Sequence, residues 1–212
     1  MSPVRVNSGP ARPGNIRIIG GRWRGTRLVV ADAPGLRPTS DRVRETLFNW
    51  LVPMLPGARV LDLFAGSGAL GLEAISRGAG EAFVVERDPA LVQSLRQACE
   101  RLQAEAAVQV IQADALRWLR VPVHGRFDLV FLDPPFDAGL WSESLALLPP
   151  WLADDAWLYL ESPAAADVTP GAGWFLHREG STRESRHALY RRAIPAAATL
   201  AADSNAHGAA TE

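Results

Sequence analysis

Val60-Leu61-Asp62-Leu63-Phe64-Ala65-Gly66-Ser67-Gly68-Ala69-Leu70-Gly71 is the stretch whose reading decides the fold. A short apolar run meets a glycine turn, and the turn opens into a helical segment. Gly66, Gly68 and Gly71 stand at the spacing G-x-G-x-x-G. Glycine in such a turn lets the backbone adopt positive φ and lets a ligand approach the main chain closely. The exposed N–H groups of the following helix add positive potential at the same point. A nucleotide-like ligand is the first hypothesis. A tight strand–helix turn with no ligand would give the same spacing, so the meaning of the turn depends on its surroundings.

Downstream the pattern repeats. Arg59–Phe64 reads as a strand and Ala69–Arg77 as its helix. Glu81–Glu86 is a second strand, Pro89–Glu105 a long amphipathic helix, Val108–Gln112 a third strand, and Leu116–Leu119 a short helical piece. Phe127–Leu132 is a fourth strand that runs into Asp133-Pro134-Pro135-Phe136. Leu140–Leu148 and Trp151–Leu152 read as helical, Ala156–Glu161 as a fifth strand, and Trp174–Glu179 with His187–Arg191 as a closing antiparallel pair. Near-continuous apolar strands alternating with helices imply a parallel sheet covered on both faces, an α/β fold.

Upstream, Thr39, Ser40 and Asp41 are all capable N-caps for a helix that runs to Leu51. Val43, Leu47, Trp50 and Leu51 recur at helical spacing and face the core. Arg42 and Arg44 sit near the helix start, where the dipole does not favour a cation. They answer either an anionic ligand or an ordinary partner such as Asp41 or Glu45. Before them, two β-prone runs flank Gly20-Gly21 in Ile16–Val30, which reads as a hairpin. Arg17, Arg22, Arg24 and Arg27 cluster on it with Trp23.

The 212 residues suffice for one domain with a small appendage, and 48% hydrophobic content allows a sizeable core. The reading divides the chain into a disordered start (1–14), a basic hairpin arm (15–35), the main domain (36–193) and a disordered tail (194–212). The net charge of −1 conceals an asymmetry. Residues 1–50 hold nine arginines against three acids; the remainder holds thirteen against twenty. A basic segment on an acidic body points to a polyanion-binding arm, with arginines on phosphates and an aromatic ring available for stacking. The single cysteine, Cys99, has no disulfide or metal-ligand companions and reads as packing. With no signal-peptide pattern and no 18-residue apolar run, the expectation is a cytoplasmic protein with no membrane or metal partner, and a monomer.

In an open α/β sheet, ligands bind beyond the carboxyl ends of the strands. Polar residues furnish four such ends here: the glycine turn, Glu86, Asp114 and Asp133. Glu86 is placed to accept hydrogen bonds from ribose hydroxyls, and Asp114 to accept from an adenine amino group. That set fits either a nicotinamide dinucleotide or S-adenosylmethionine. Asp133-Pro134-Pro135-Phe136 separates them. A nucleobase exocyclic nitrogen is a poor nucleophile because its lone pair is delocalised. A carboxylate and a backbone carbonyl side by side can accept its two N–H bonds and aim it at a methyl donor. Prolines keep the turn rigid, and Phe136 can stack on the base. Catalysis of that kind is positioning and electrostatics.

At these residues the chain resembles the bacterial RsmD family of small-subunit rRNA guanine-N2 methyltransferases. The likeness runs over Ile16–Gly25, over Gly35-Leu36-Arg37-Pro38-Thr39 and Asp41–Leu51, over Asp62–Ala74, Glu86 and Asp133–Phe136. The second block is more specific than the glycine turn, which many methyltransferases share. The resemblance implies a Rossmann-like class I methyltransferase domain whose mostly parallel seven-stranded sheet has the order 3-2-1-4-5-7-6, with an N-terminal hairpin arm. It implies S-adenosylmethionine as methyl donor and 16S rRNA, in the 30S subunit or a late assembly intermediate, as substrate.

Carried over to this sequence, the resemblance assigns Asp62 and Phe64, Ala65, Gly66, Ser67 and Gly68 to the methionine part of the cofactor. It assigns Glu86 to the ribose, Arg87, Asp114 and Ala115 to the adenine, and Thr39 and Arg44 to the methionine end. Asp133 and Pro134 hold the guanine amino group, with Pro135 and Phe136 completing the catalytic turn. Arg17, Arg22, Trp23, Arg24, Arg27 and Arg42 are the candidate RNA contacts. Two other readings remain on the residues: a DNA adenine-N6 or cytosine-N4 methyltransferase, and an RNA-binding assembly factor without turnover.

Overall fold

The computed structural model describes residues 14–30, 40–122 and 124–193. The expected disordered start, short of Gly14, and the expected disordered tail lie outside these residues, as does Thr39. Strands β1 (Gly14–Arg17) and β2 (Arg27–Val30) form an antiparallel hairpin. Helix α1 (Asp41–Leu51) follows, N-capped by Ser40, whose Oγ accepts from the Val43 N–H at 3.3 Å. The main domain runs β3 (Arg59–Asp62), α2 (Ala69–Ser76), β4 (Glu81–Glu86), α3 (Pro89–Leu102), β5 (Val108–Gln112), α4 (Ala115–Leu119), β6 (Phe127–Leu132), α5 (Trp141–Leu147), β7 (Leu152–Pro163), β8 (Trp174–Ser181) and β9 (Ser185–Arg192).

The seven strands of the main sheet lie in the order β5-β4-β3-β6-β7-β9-β8. Counted from β3 this is 3-2-1-4-5-7-6, as the resemblance implied. The first five strands are parallel, and β9 and β8 close the sheet antiparallel. Alternate strand residues feed two cores. Val60, Val84, Phe131, Tyr159 and Leu189 pack with α1, α2 and α3 on one face. Leu61, Phe83, Val130, Leu158 and Tyr190 pack with α4 and α5 on the other. Buried Cys99 belongs to the first of these, as its reading as a packing residue required. Burial pushes its thiol up to about 11, so it stays protonated at neutral pH.

The hairpin shares the first core. Ile18 and Leu28 are fully buried in it, and burial of each such side chain contributes about 1.5–3 kcal/mol. The turn between its strands is long, and includes a short 3-10 segment at Gly21–Trp23. Gly21 has φ 74°, and a Cβ there would lie 1.8 Å from the Ser76 carbonyl oxygen, so this position admits only glycine.

Several element boundaries depart from the sequence reading, and three of them have a clear physical cause. Trp151–Leu152 is not helical beyond Trp151: a 3-10 turn at Pro149–Trp151 ends there, and Leu152 begins β7 beside Phe127. The cause is tertiary, since Trp151 is buried and its Nε1 donates to the Leu119 carbonyl at 2.8 Å. The strand then bulges before Trp157 pairs with Leu129. Helix α3 stops at Leu102 rather than Glu105, because Gln103 turns left-handed (φ 52°) and its N–H closes back on the Cys99 and Glu100 carbonyls. Strand β3 stops at Asp62 rather than Phe64, where the chain leaves the sheet for the glycine turn.

Candidate active site

The sheet places β3 between β4 and β6, and the strand order reverses at β3 and β6. The carboxyl ends of these strands form the crevice in which α/β folds bind ligands. Asp62 ends β3, Glu86 ends β4, Asp114 follows β5, and Asp133 follows β6.

The turn after β3 is held by strand-end bonds. The Leu63 N–H donates to the Phe131 carbonyl at 3.2 Å and the Ala65 N–H to the Val85 carbonyl at 2.9 Å. Gly66 and Gly68 both have positive φ, 52° and 74°. The three glycines are needed for different reasons. A Cβ on Gly68 would meet Leu95 at 2.3 Å, and one on Gly71 would meet Val84 at 2.6 Å. Those two positions answer to packing against α3 and β4. Gly66 is partly exposed, and its N–H donates to Glu86 Oε2 at 2.8 Å.

Glu86 thus spans the mouth of the crevice. Its other oxygen accepts from the Asp88 N–H at 2.8 Å, which fixes the loop into α3. Asp62 lies beneath, buried, with Oδ2 accepting from the Gly71 N–H at 2.9 Å. Burial raises its carboxyl to about 7, the Gly71 bond opposes this, and the neighbouring Glu86 adds to it. Asp114 caps α4, its Oδ1 accepting from the Arg117 N–H at 3.0 Å. Arg87 is exposed, and Ala115 is buried.

Phe64, Ala113 and Phe136 pack, partly buried, against the second core and give the crevice an apolar wall. Phe136 meets Trp141 at 6.0 Å between ring centroids. Pro134 is buried, while Asp133 and Pro135 are partly exposed. A partly exposed acid at each of the two strand ends flanking β3, a glycine turn between them and an apolar wall form a polar and stacking set that suits a nucleoside. The residues present therefore fit S-adenosylmethionine.

Arg44 is placed differently from the others. It is buried, and its Nη2 donates to Asp41 Oδ1 at 2.5 Å and to the Arg17 carbonyl at 3.0 Å. Its Nε and Nη1 have no partner among the described residues, which leaves two donors for an anion. Arg42 is exposed. Arg17, Arg22, Arg24 and Arg27 are exposed on the hairpin, and the Arg22 guanidinium lies 4.2 Å from the centroid of the Trp23 ring.

The sequence reading missed the clamp that holds this hairpin. Glu73 on α2 is fully buried, and its two oxygens accept from the Ile19 and Gly20 N–H groups, both at 2.7 Å. Arg77 Nε donates to the same carboxylate at 2.6 Å. Ser76 Oγ donates to the Gly20 carbonyl at 2.6 Å and accepts from the Trp23 N–H at 3.0 Å. The signal was an acid inside the otherwise apolar run Ala69–Ile75. Such a residue is rarely buried unless paired.

Fold and crevice together define an S-adenosylmethionine-dependent methyltransferase domain. The family model described as "Conserved hypothetical protein 95" matches residues 16–191. Ribosomal RNA small subunit methyltransferase D of Escherichia coli K12 is 49% identical over 182 residues, covering 84% of this chain and 91% of that protein. Its Haemophilus influenzae counterpart is 39% identical over 186 residues, covering 86% and 96%. A solved structure of a putative methyltransferase from Escherichia coli superposes with a TM-score of 0.79 at 45% identity, covering 85% of this chain and 99% of that one. The chain belongs to the ribosomal RNA small subunit methyltransferase D family.

Among the described residues, no helix is long and apolar enough to cross a membrane, and no three metal-ligating side chains cluster.

Proposed function

We propose that this methyltransferase of small-subunit rRNA acts on the exocyclic N2 of one guanine in 16S rRNA, presented on the 30S subunit or a late assembly intermediate. The observation that carries the reading is the position of Asp133-Pro134-Pro135-Phe136. It follows β6, directly beside the β3 glycine turn in the sheet. When bound, S-adenosylmethionine supplies an electrophilic methyl group. Asp62, the Phe64–Gly68 turn and Arg44, with Thr39, hold its methionine part. Glu86 holds its ribose, and Arg87, Asp114 and Ala115 border its adenine.

The protein's part in the reaction is placement. The Asp133 carboxylate and the Pro134 carbonyl accept the two N–H bonds of the guanine amine, which localises the lone pair on nitrogen and orients it. The nitrogen sheds one proton as it gains the methyl, and Asp133 is the carboxylate beside it. Phe136 stacks on the base. The target is unpaired or flipped out, because a stacked and paired guanine offers no access to its amine. The hairpin arginines and Arg42 bind phosphates around it.

A labelled-methyl assay tests the reading. The protein is incubated with 30S subunits from a strain lacking the endogenous activity, with naked 16S rRNA, and with duplex DNA. Incorporation into 30S subunits or their rRNA supports it. Label on DNA alone supports the DNA-methyltransferase reading, and label on nothing supports an assembly factor. In the same assay, Asp133→Ala loses transfer by at least a hundredfold. Its affinity for the product S-adenosylhomocysteine stays within about twofold, measured by calorimetry. A parallel loss of that affinity would place Asp133 in the cofactor site instead.

A further inference from the structure

Among the described residues, the far edge of the sheet presents a row of aromatic and cationic side chains that runs from partly buried Trp157 to exposed Arg191 and Phe175. Trp157 of β7, Arg191 of β9 and Phe175 of β8 stand opposite one another across three strands. Directly opposed residues project from the same face of a sheet. That face is the one bearing α1 and the hairpin, since Trp157 and Trp23 both pack against the first core. The Arg191 guanidinium lies 5.6 Å from the Trp157 ring centroid. The His177 ring meets Trp157 edge-on at 5.0 Å. Arg178 pairs in register with Leu189 and so shares the face. It is exposed and has no ion pair among the described residues. Phe175 is 66% exposed.

An exposed aromatic ring on an edge strand invites aggregation, and such edges are usually blunted with charge. Here the ring is retained amid arginines. The acids nearest in register are Glu179, beside Arg178 on β8 but paired with Arg186 at 2.8 Å, exposed Asp155 on β7, and Glu161, which is buried and accepts from the Tyr159 hydroxyl at 2.8 Å. One ring in a cationic setting is far smaller than a protein–protein interface, which buries roughly 800 Å² per partner. It is the size of one nucleobase. Single-stranded RNA is held by this combination, bases stacked on aromatic rings and guanidinium groups on phosphates.

We propose that this row is a second rRNA contact, separate from the hairpin: an unpaired base stacks on Phe175, and Arg191 and Arg178 take the flanking phosphates. The proposal rests on the reading of the chain as an rRNA methyltransferase. With the hairpin on the same side of the sheet, it extends the RNA footprint across α1 to the sheet edge.

The test is binding to 30S subunits and to naked 16S rRNA over a range of salt. Phe175→Ala and Phe175→Leu weaken binding about tenfold, and Phe175→Trp retains it. Arg178→Gln with Arg191→Gln lowers the slope of log affinity against log salt by about two. All variants bind S-adenosylhomocysteine as the wild type does, which establishes that they fold. Wild-type affinity in Phe175→Ala, or an unchanged salt slope in the arginine variant, overturns the proposal. Wild-type affinity in Phe175→Leu also overturns it, since an apolar contact would then suffice without stacking. Failure of the wild type itself to bind either RNA defeats the rRNA reading, a separate result.

Discussion

Asp62 shows how much one residue's setting decides. Its carboxyl is buried beneath the glycine turn with the Gly71 N–H as donor, and burial raises it from 3.8 to about 7. Between those values the folded protein holds a proton that the unfolded chain has released. The group therefore contributes stability below about pH 4 that is lost as pH rises to about 7. Asp62→Asn keeps an acceptor for Gly71 but does not titrate. Urea unfolding at pH 4 to 8 should show the wild type losing stability relative to this variant up to about pH 7, and then no further. Parallel profiles would mean that Asp62 is ionised throughout. The crevice acids were legible because four strand ends in series carry a polar residue, although each acid alone reads as readily as a strand-end cap. Their partners were not. Glu86 holding Gly66 and Asp88, and Gly68 and Gly71 answering to Leu95 and Val84, depend on neighbours far away in sequence.

At the scale of elements, the hairpin and α2 form one unit. Read from the sequence, Ile16–Val30 is the hairpin of a basic arm. In the fold its apolar residues enter the core of the domain, and Glu73 ties its turn to the helix that begins at the glycine turn. The exposed arginines and the cofactor crevice are thus linked by a single helix. Removing Glu73 leaves two backbone N–H groups and Arg77 without their carboxylate. Glu73→Ala should cost about 3–5 kcal/mol in chemical unfolding. It should also speed hydrogen exchange at Ile19 and Gly20 well beyond that of β4. Slow exchange at these amides in the variant would show that apolar packing alone docks the hairpin. The clamp was hidden because helical spacing reports which face is buried, and says nothing of a carboxylate turned inward to bond the main chain of another element.

Across the whole molecule, strand alternation made the parallel sheet legible, and the resemblance supplied its order. The run Trp151–Leu152 misled because a buried Trp and a bulged strand share local composition with a helix end. The edge row of Trp157, Arg191 and Phe175 was invisible in sequence for a related reason: its members lie on three strands and meet only through sheet register. The hairpin and the edge row share the α1 face of the sheet, the crevice lies at the carboxyl ends of its parallel strands, and the net charge of the whole chain is only −1. Electrostatic attraction to RNA is therefore local rather than global.

The central claim concerns one atom of one base. The most direct measurement is nucleoside analysis by mass spectrometry of 16S rRNA from 30S subunits that the wild-type protein has methylated. N2-methylguanosine, near one mole per particle and absent with Asp133→Ala, is the result this account predicts. A methyl on any other nucleoside, or an undiminished yield from Asp133→Ala, would contradict it.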